Sequence, residues 1–286
     1  MKRRTALKNI LLSLLGSSTL FPFLTGPAAA MAAEDAAHPD EHIRDYLFKM
    51  KHYDRPHASD TYLESKDHGV FQDVHGRFNR LQQTMGHGHF SLVDFDQAVK
   101  IAGGYASIGA FSRQELEFCE KIFYTDGALY GFLGAKPLLN LTDQIHTGSV
   151  TKIPLSGNYL YQGLSLETYL TIKKHVGPPL VLTSGIRGIA KQFLLFLNKI
   201  NLCNGNISRA SRSIAPPGYS YHGLGDFDVG QNDFGAANFT ERFTRSTVFC
   251  RLQGLGYIDL RYPEHNLMGV RFEPWHIRVK ENSAGG

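Results

Sequence analysis

Two short segments near the C-terminal end carry the residue types from which hydrolytic metal chemistry is built. The first reads Ser220-Tyr221-His222-Gly223-Leu224-Gly225-Asp226-Phe227-Asp228 and the second Glu273-Pro274-Trp275-His276. Between them they supply two imidazoles, a carboxylate and one further glutamate. Three such side chains occupy three positions around a tetrahedral Zn2+ and leave the fourth to water, which a neighbouring glutamate can activate. A Glu-x-x-His pair alone is common by chance, but Pro274 and Trp275 inside the pair and the upstream motif make this combination specific. The remaining candidates are weaker. His87-Gly88-His89 has no acidic partner at useful spacing and reads as a polar loop. Ser184 and Ser220 lack the accompanying His and Asp pattern of a serine hydrolase.

The compartment bounds the substrates. Residues 2–8, Lys-Arg-Arg-Thr-Ala-Leu-Lys, form a basic start, an apolar stretch from Ile10 to Leu24 follows, and small residues run through Ala28 to Ala33. This is the pattern of an export signal, residues 1–33, with cleavage expected between Ala30 and Ala33. The paired arginines resemble a twin-arginine signal. The apolar run is shorter than the roughly 20 residues a membrane span requires, so no stable span is expected after cleavage and the protein is expected to be periplasmic or otherwise exported. Of the 30 Lys and Arg residues, four lie in this segment, which has no acid before Glu34, leaving 26 against 26 Asp and Glu in the remainder. The basic balance of the whole chain therefore belongs to the targeting segment and gives no reason to expect nucleic acid as a partner. Cys119, Cys203 and Cys250 match no zinc-knuckle spacing, permit one disulfide at most, and are expected to pack.

The elements that must position the chemistry follow from periodicity. Ile43, Tyr46, Leu47 and Met50 recur at helical spacing between Glu41 and His52. Ser112-Arg113-Gln114-Glu115 is a capping box ahead of an apolar face at Leu116, Cys119, Ile122 and Phe123, predicting a helix over 113–124. Ser165 is expected to cap a helix reaching His175. The pattern changes at Gly177-Pro178-Pro179: Leu180 to Thr183 reads as a buried strand, and 186–200 as a helix with Ile189, Phe193, Phe196, Leu197 and Ile200 inward. A long loop is expected over 201–217, a strand over 227–229, and a helix opening at 238–241 and ending by Gly254. Tyr257 to Arg261 and Val270 to Val279 read as paired strands. The fold class is α+β: a small antiparallel sheet flanked by helices over 151–286, preceded by a mostly helical region over 34–150.

These motifs, in this order, resemble the zinc D-alanyl-D-alanine carboxypeptidases of the VanY type, a group that shares its fold with the hedgehog signalling domain and with murein endopeptidases. The resemblance covers roughly Pro178 to Val279. Thr183-Ser184-Gly185-Ile186-Arg187, with Gln192 five residues on, resembles the family's Ser-Gly-Tyr-Arg-Ser…Gln segment. His222 and Asp228-Val229-Gly230 match the first two ligands, and Glu273-Pro274-Trp275-His276 matches the base and the third ligand. The resemblance thus implies Zn2+ held by His222, Asp228 and His276, Glu273 as the catalytic base, Arg187 facing an oxyanion or a peptide carboxylate, and Ser184, Gln192 and Ser220 along the substrate cleft. One departure stands out: His222 and Asp228 are separated by five residues where the family has six. Either the turn is one residue shorter ahead of Asp228, which the Asp-Val-Gly ending favours, or Asp226 is the ligand; the two lie on one face of a strand. Trp275 is expected to pack beneath the metal. The implied activity is removal of a C-terminal D-amino acid from a peptidoglycan peptide. An L,D-carboxypeptidase, a crosslink-cleaving endopeptidase and a non-catalytic wall-binding module are the alternatives.

Overall fold

The computed structural model describes residues 39–279, so the expected export signal at 1–33 lies outside the described residues. In chain order the helices are α1 (Pro39–Lys51), α2 (His68–Met85), α3 (His87–Phe90), α4 (Phe95–Gly104), α5 (Arg113–Tyr124), α6 (Leu164–Val176), α7 (Ile189–Leu202), α8 (Ile207–Ser211) and α9 (Thr247–Gly254). The strands are β1 (Val150–Lys152), β2 (Tyr159–Tyr161), β3 (Leu180–Ser184), β4 (Phe227–Gln231) and β5 (His276–Ile277). The class is the α+β expected. Among the described residues no helix is long and apolar enough to cross a membrane.

The first core forms around α7. Its apolar residues recur at three- and four-residue spacing, and Ile189, Phe193, Phe196, Leu197 and Ile200 are all buried. Helices α2, α4 and α5 supply the other side: Phe78 stacks on Phe193 with ring centroids 5.5 Å apart, and Phe95 lies 5.8 Å from the same ring. The capping box at α5 is present, with Ser112 Oγ accepting from the Glu115 amide and the Glu115 carboxylate accepting from the Ser112 amide. That carboxylate also receives both Nε and Nη2 of Arg77 (2.8 and 3.0 Å), tying α2 to α5 by a fork-to-fork pair. Tyr262 and Val270 from the C-terminal segment enter the same core, which therefore draws on both sides of residue 150.

The second core lies beneath a three-stranded antiparallel sheet in the order β3-β4-β5. Side chains alternate across a strand, so β4 sends Phe227 and Val229 toward helices α6 and α9 and Asp228 to the opposite face. Asp228 pairs with His276 and Phe227 with Ile277, so β5 repeats the division, Ile277 inward and His276 outward. A register irregularity between Leu182 and Ser184 brings Ser184 opposite Asp228. The apolar pattern of β4 thereby dictates which face carries the chemistry.

Several expected elements take another form. Tyr257–Arg261 and 270–279 do not pair as strands; they share one bridge, Leu260 to Ile277, and β5 pairs with β4 instead. The helix at α6 begins after Gly163, and Ser165, rather than capping it, donates its hydroxyl to the Gly225 carbonyl (2.7 Å). Helix α7 starts at Ile189, leaving Arg187 in the turn before it. The 201–217 segment contains α8, capped by Asn206. Residues 238–254 divide into 3-10 turns and α9, because Ser246 caps a fresh helix. The β1–β2 hairpin was not anticipated, and His87-Gly88-His89 is a helical turn rather than a loop. Cys119 and Cys203 are buried thiols and Cys250 is exposed, all three unpaired.

Phe193→Ala removes the ring shared by α2, α4 and α7, and unfolding in urea should show a loss of about 3–5 kcal/mol. A loss under about 1 kcal/mol would mean that the helices do not share one core.

Candidate metal centre

The three residues expected as ligands converge. A ring nitrogen of His222, a carboxylate oxygen of Asp228 and a ring nitrogen of His276 lie within 4.8 Å of one another, and all three residues are buried. His222 Nε2 and His276 Nδ1 each stand 3.3 Å from Asp228 Oδ1. Glu273 Oε2 is 3.6 Å from His276 Nδ1. His222 Nε2 and Asp228 Oδ1 are buried without any hydrogen-bond partner. Buried polar atoms are rarely left so, and two imidazole nitrogens beside one carboxylate oxygen form a donor set that Zn2+ accepts at tetrahedral geometry. The residues present fit the ion.

Each candidate ligand is held from behind. His222 sits in a 3-10 turn, Tyr221–Gly223, and its Nδ1–H donates to the Gly185 carbonyl at 2.8 Å, which leaves the Nε2 lone pair facing the centre. Gly185 is fixed in turn, because a Cβ there would collide with the Tyr159 carbonyl on β2. His276 directs Nε2–H to Asp226 Oδ2 at 3.1 Å, so its Nδ1 faces inward. Asp226 also takes both Arg261 Nε (2.8 Å) and Nη2 (3.2 Å), and its Oδ1 accepts the Val279 amide. A carboxylate behind a ligand imidazole sets its tautomer and orientation. The shortened turn closes through Gly225, whose φ of 113° lies in the left-handed region open to glycine, and through the Asp226 amide donating to the Tyr221 carbonyl.

The electrostatics divide the imidazoles. Burial, reinforced by the Arg187 charge, holds His222 below the ordinary imidazole range. Burial also opposes charge on His276, but the carboxylates of Asp226, Glu273 and Asp228 overcome it and raise the group to about 9. For Asp226 burial is likewise outweighed, by His276 and Arg261, and its carboxyl falls to about 2. Asp228 lies well below the carboxylate range: against burial stand His222, Arg187 and His276.

The centre opens on a cleft of about 500 Å³. Ser184, Arg187, Ser220 and Glu273 all line it, as expected. Arg187 is committed at two points, Nε to Ser184 Oγ (2.9 Å) and Nη2 to Asp228 Oδ2 (2.6 Å). Gln192 is absent from the lining. It is buried behind the wall, where its amide donates to the Ala215 carbonyl, so it shapes the cleft through Ala215. Trp275 packs against Phe239, with its face also covered by Arg271. Sequence spacing missed Arg261 behind the centre and Arg271, Tyr262, Lys191, Ser91 and Asn158 in the cleft lining, and it set aside His87, which also lines the cleft. No periodicity marks these residues; Arg261 and Arg271 could have been sought as counter-charges to the acids nearby.

Against known proteins, residues 164–280 match the family model of VanY, D-alanyl-D-alanine carboxypeptidase. No curated protein matches the chain. Among solved structures, it is similar to the LdcB LD-carboxypeptidase, with 23% identity, a TM-score of 0.39, and coverage of 47% of this chain and 65% of that one. It is also similar to a mutant of the vancomycin-resistance D,D-pentapeptidase VanY in complex with Zn(II), with 21% identity, a TM-score of 0.37, and coverage of 46% and 77%. The chain thus spans just under two thirds of the length of the first of these. The matched segment contains the α+β domain with strands β3, β4 and β5 and all three residues of the cluster. The likeness to the VanY family of D-alanyl-D-alanine carboxypeptidases is confined to residues 164–280.

Two outcomes test the centre. His276 carries a proton on Nδ1 below pH 9 in the metal-free protein and must release it to ligate. Metal uptake near pH 7.5 should therefore liberate about one proton, and apparent affinity should climb until about pH 9 and then level. Titration calorimetry in buffers of different ionisation heat reads this directly; uptake without proton release would remove His276 Nδ1 from the ligand set. Asp228→Ala should abolish tight zinc binding, whereas Asp226→Ala should weaken it about 10–100-fold. The reverse ranking would make Asp226 the ligand.

Proposed function

We propose that this protein is an exported zinc carboxypeptidase that hydrolyses the C-terminal D-amino acid of peptidoglycan stem peptides. The observation that carries the reading is the convergence of His222, Asp228 and His276 in one buried cluster with Glu273 beside it, at the floor of a cleft. The VanY-family segment supports the reaction class, and the signal-like residues 1–33 support a destination where such peptides occur.

Zn2+ held by His222, Asp228 and His276 would polarise the scissile carbonyl and make a water acidic enough to attack near neutral pH. Glu273 is the proton carrier: its carboxylate accepts a proton from the attacking water and returns it to the leaving amine. Tyr262 helps to hold it, since the Glu273 amide donates to the Tyr262 carbonyl at 3.1 Å. Arg187, anchored through Nε and one N–H of Nη2, keeps its Nη1 donors for the oxyanion or for the carboxylate of the terminal residue. Ser184 positions that guanidinium, and Ser220 offers a hydroxyl to the peptide. A wall-binding module would have no use for a base beside the metal, which sets Glu273 against that alternative.

Glu273→Gln keeps the shape of the side chain and removes the base. It should bind zinc as the parent does and lose about 10²–10⁴ in kcat. Incubation with defined muropeptides, read by mass, tests the substrate. Loss of one alanine from a pentapeptide stem supports the proposal. Loss only from a tetrapeptide stem, or cleavage only at a crosslink, would replace it by the L,D-carboxypeptidase or endopeptidase reading.

A further inference from the structure

Three cationic side chains besides the histidines face the cleft, and they differ in what balances them. Arg187 pairs with Asp228 at 2.6 Å. Arg271, held against the Tyr53 and Trp275 rings, stands 4.0 Å from Glu273 Oε1. Lys191 has no carboxylate within ion-pair distance among the described residues. Its ammonium donates to the neutral Oε1 of Gln82 on α2, which uses one of its three donors. The side chain is half-buried, in the first turn of α7, and it lines the cleft together with Arg187, which lies in the turn just before that helix. Burial, with the Arg187 charge nearby, pulls the amine down to about 8. A desolvated cation without a counter-charge is an unfavourable arrangement that a bound anion relieves. Its partner Gln82, and His87, Ser91 and Asn158 in the lining of the same cleft, lie outside the segment 164–280 that matches VanY.

We propose that Lys191 is a specificity-determining residue that receives a second carboxylate of the peptide, carried on a side chain next to the residues that flank the scissile bond. The inference rests on the carboxypeptidase reading of the cleft. Arg187 and the metal centre engage the reacting end of the peptide, and Lys191, in the first turn of α7, meets an acidic side chain upstream of it. A neutral side chain at that position leaves the ammonium with Gln82 alone.

The test uses the full chain carrying Glu273→Gln and loaded with Zn2+, so that peptides bind without being consumed. Two acetylated tripeptides are titrated, Glu-D-Ala-D-Ala and Gln-D-Ala-D-Ala, which differ only in a carboxylate against a carboxamide. The acidic peptide should bind about tenfold more tightly, as one charge-assisted pair implies. Adding Lys191→Met should bring the ratio to about one, Lys191→Glu should invert it, and Lys191→Arg should preserve it. Equal affinities, no measurable binding, or a preference that survives Lys191→Met would each overturn the proposal. Turnover of the same peptides by the unsubstituted enzyme reads the parent hypothesis separately. Cleavage of both without a binding preference would sink only the role of Lys191, and a Lys191-dependent preference without cleavage would sink only the carboxypeptidase reading.

Discussion

Everything at the centre depends on burying the Asp228 carboxylate between two imidazoles. An ionised carboxylate taken out of water costs several kcal/mol unless opposite charge and hydrogen bonds replace the lost hydration. Arg187 satisfies Oδ2, but nothing donates to Oδ1, which instead faces His222 Nε2 and His276 Nδ1. Without metal, the protonated His276 is the nearest positive charge on that side. Were a divalent ion held here, the same oxygen would be the donor offered to it and the proton on Nδ1 would have to leave. The cluster would thereby exchange one cation for another around a fixed anion.

That fixed position is a property of the sheet and of the core beneath it. Phe227 and Val229 are buried below β4, so Asp228 has no choice of face; a one-residue slip would place it in the apolar layer. Helix α7 plays the corresponding part on the other wall. Its residues pack into the core built with α2, α4 and α5, and its first turn brings Lys191 to the cleft while Gln192 braces Ala215 from behind. The N-terminal helices are thus structural neighbours of the site as well as part of its wall. The apolar surface of α7 would face water if they were removed.

The sequence made legible the features whose cause is local. Periodicity locates α7, β3 and β4, the Ser112–Glu115 box locates α5, and the two C-terminal motifs name His222, Asp228, Glu273 and His276. What it hid depends on distant partners. Strand β5 is two residues long and exists because β4 offers an edge, so the alternation around it pointed to a longer and different pairing. The β1–β2 hairpin is equally short, and its position follows from the bare Gly185 backbone against Tyr159. Gln192 shows the limit of motif transfer, since its place in the chain fits while its side chain turns to the core side of the wall. Lys191 carries no local signal, because only the folded cleft brings it to face the site.

The five-residue spacing between His222 and Asp228 is best understood through Asp226. Both of its oxygens are committed, Oδ2 to His276 and Arg261, and Oδ1 to Arg261 and the Val279 amide. Turning it toward a metal would leave the Arg261 guanidinium unpaired and free the His276 ring. Arg261 also lies over the Tyr221 ring, 3.7 Å from its centroid, and Tyr221 is the neighbour of His222. One cation thus ties the turn that carries the first imidazole to the carboxylate that orients the second. The five-residue connection works because Gly225 bends it and this clamp fixes both of its ends, so that the inward-facing atoms of His222, Asp228 and His276 meet.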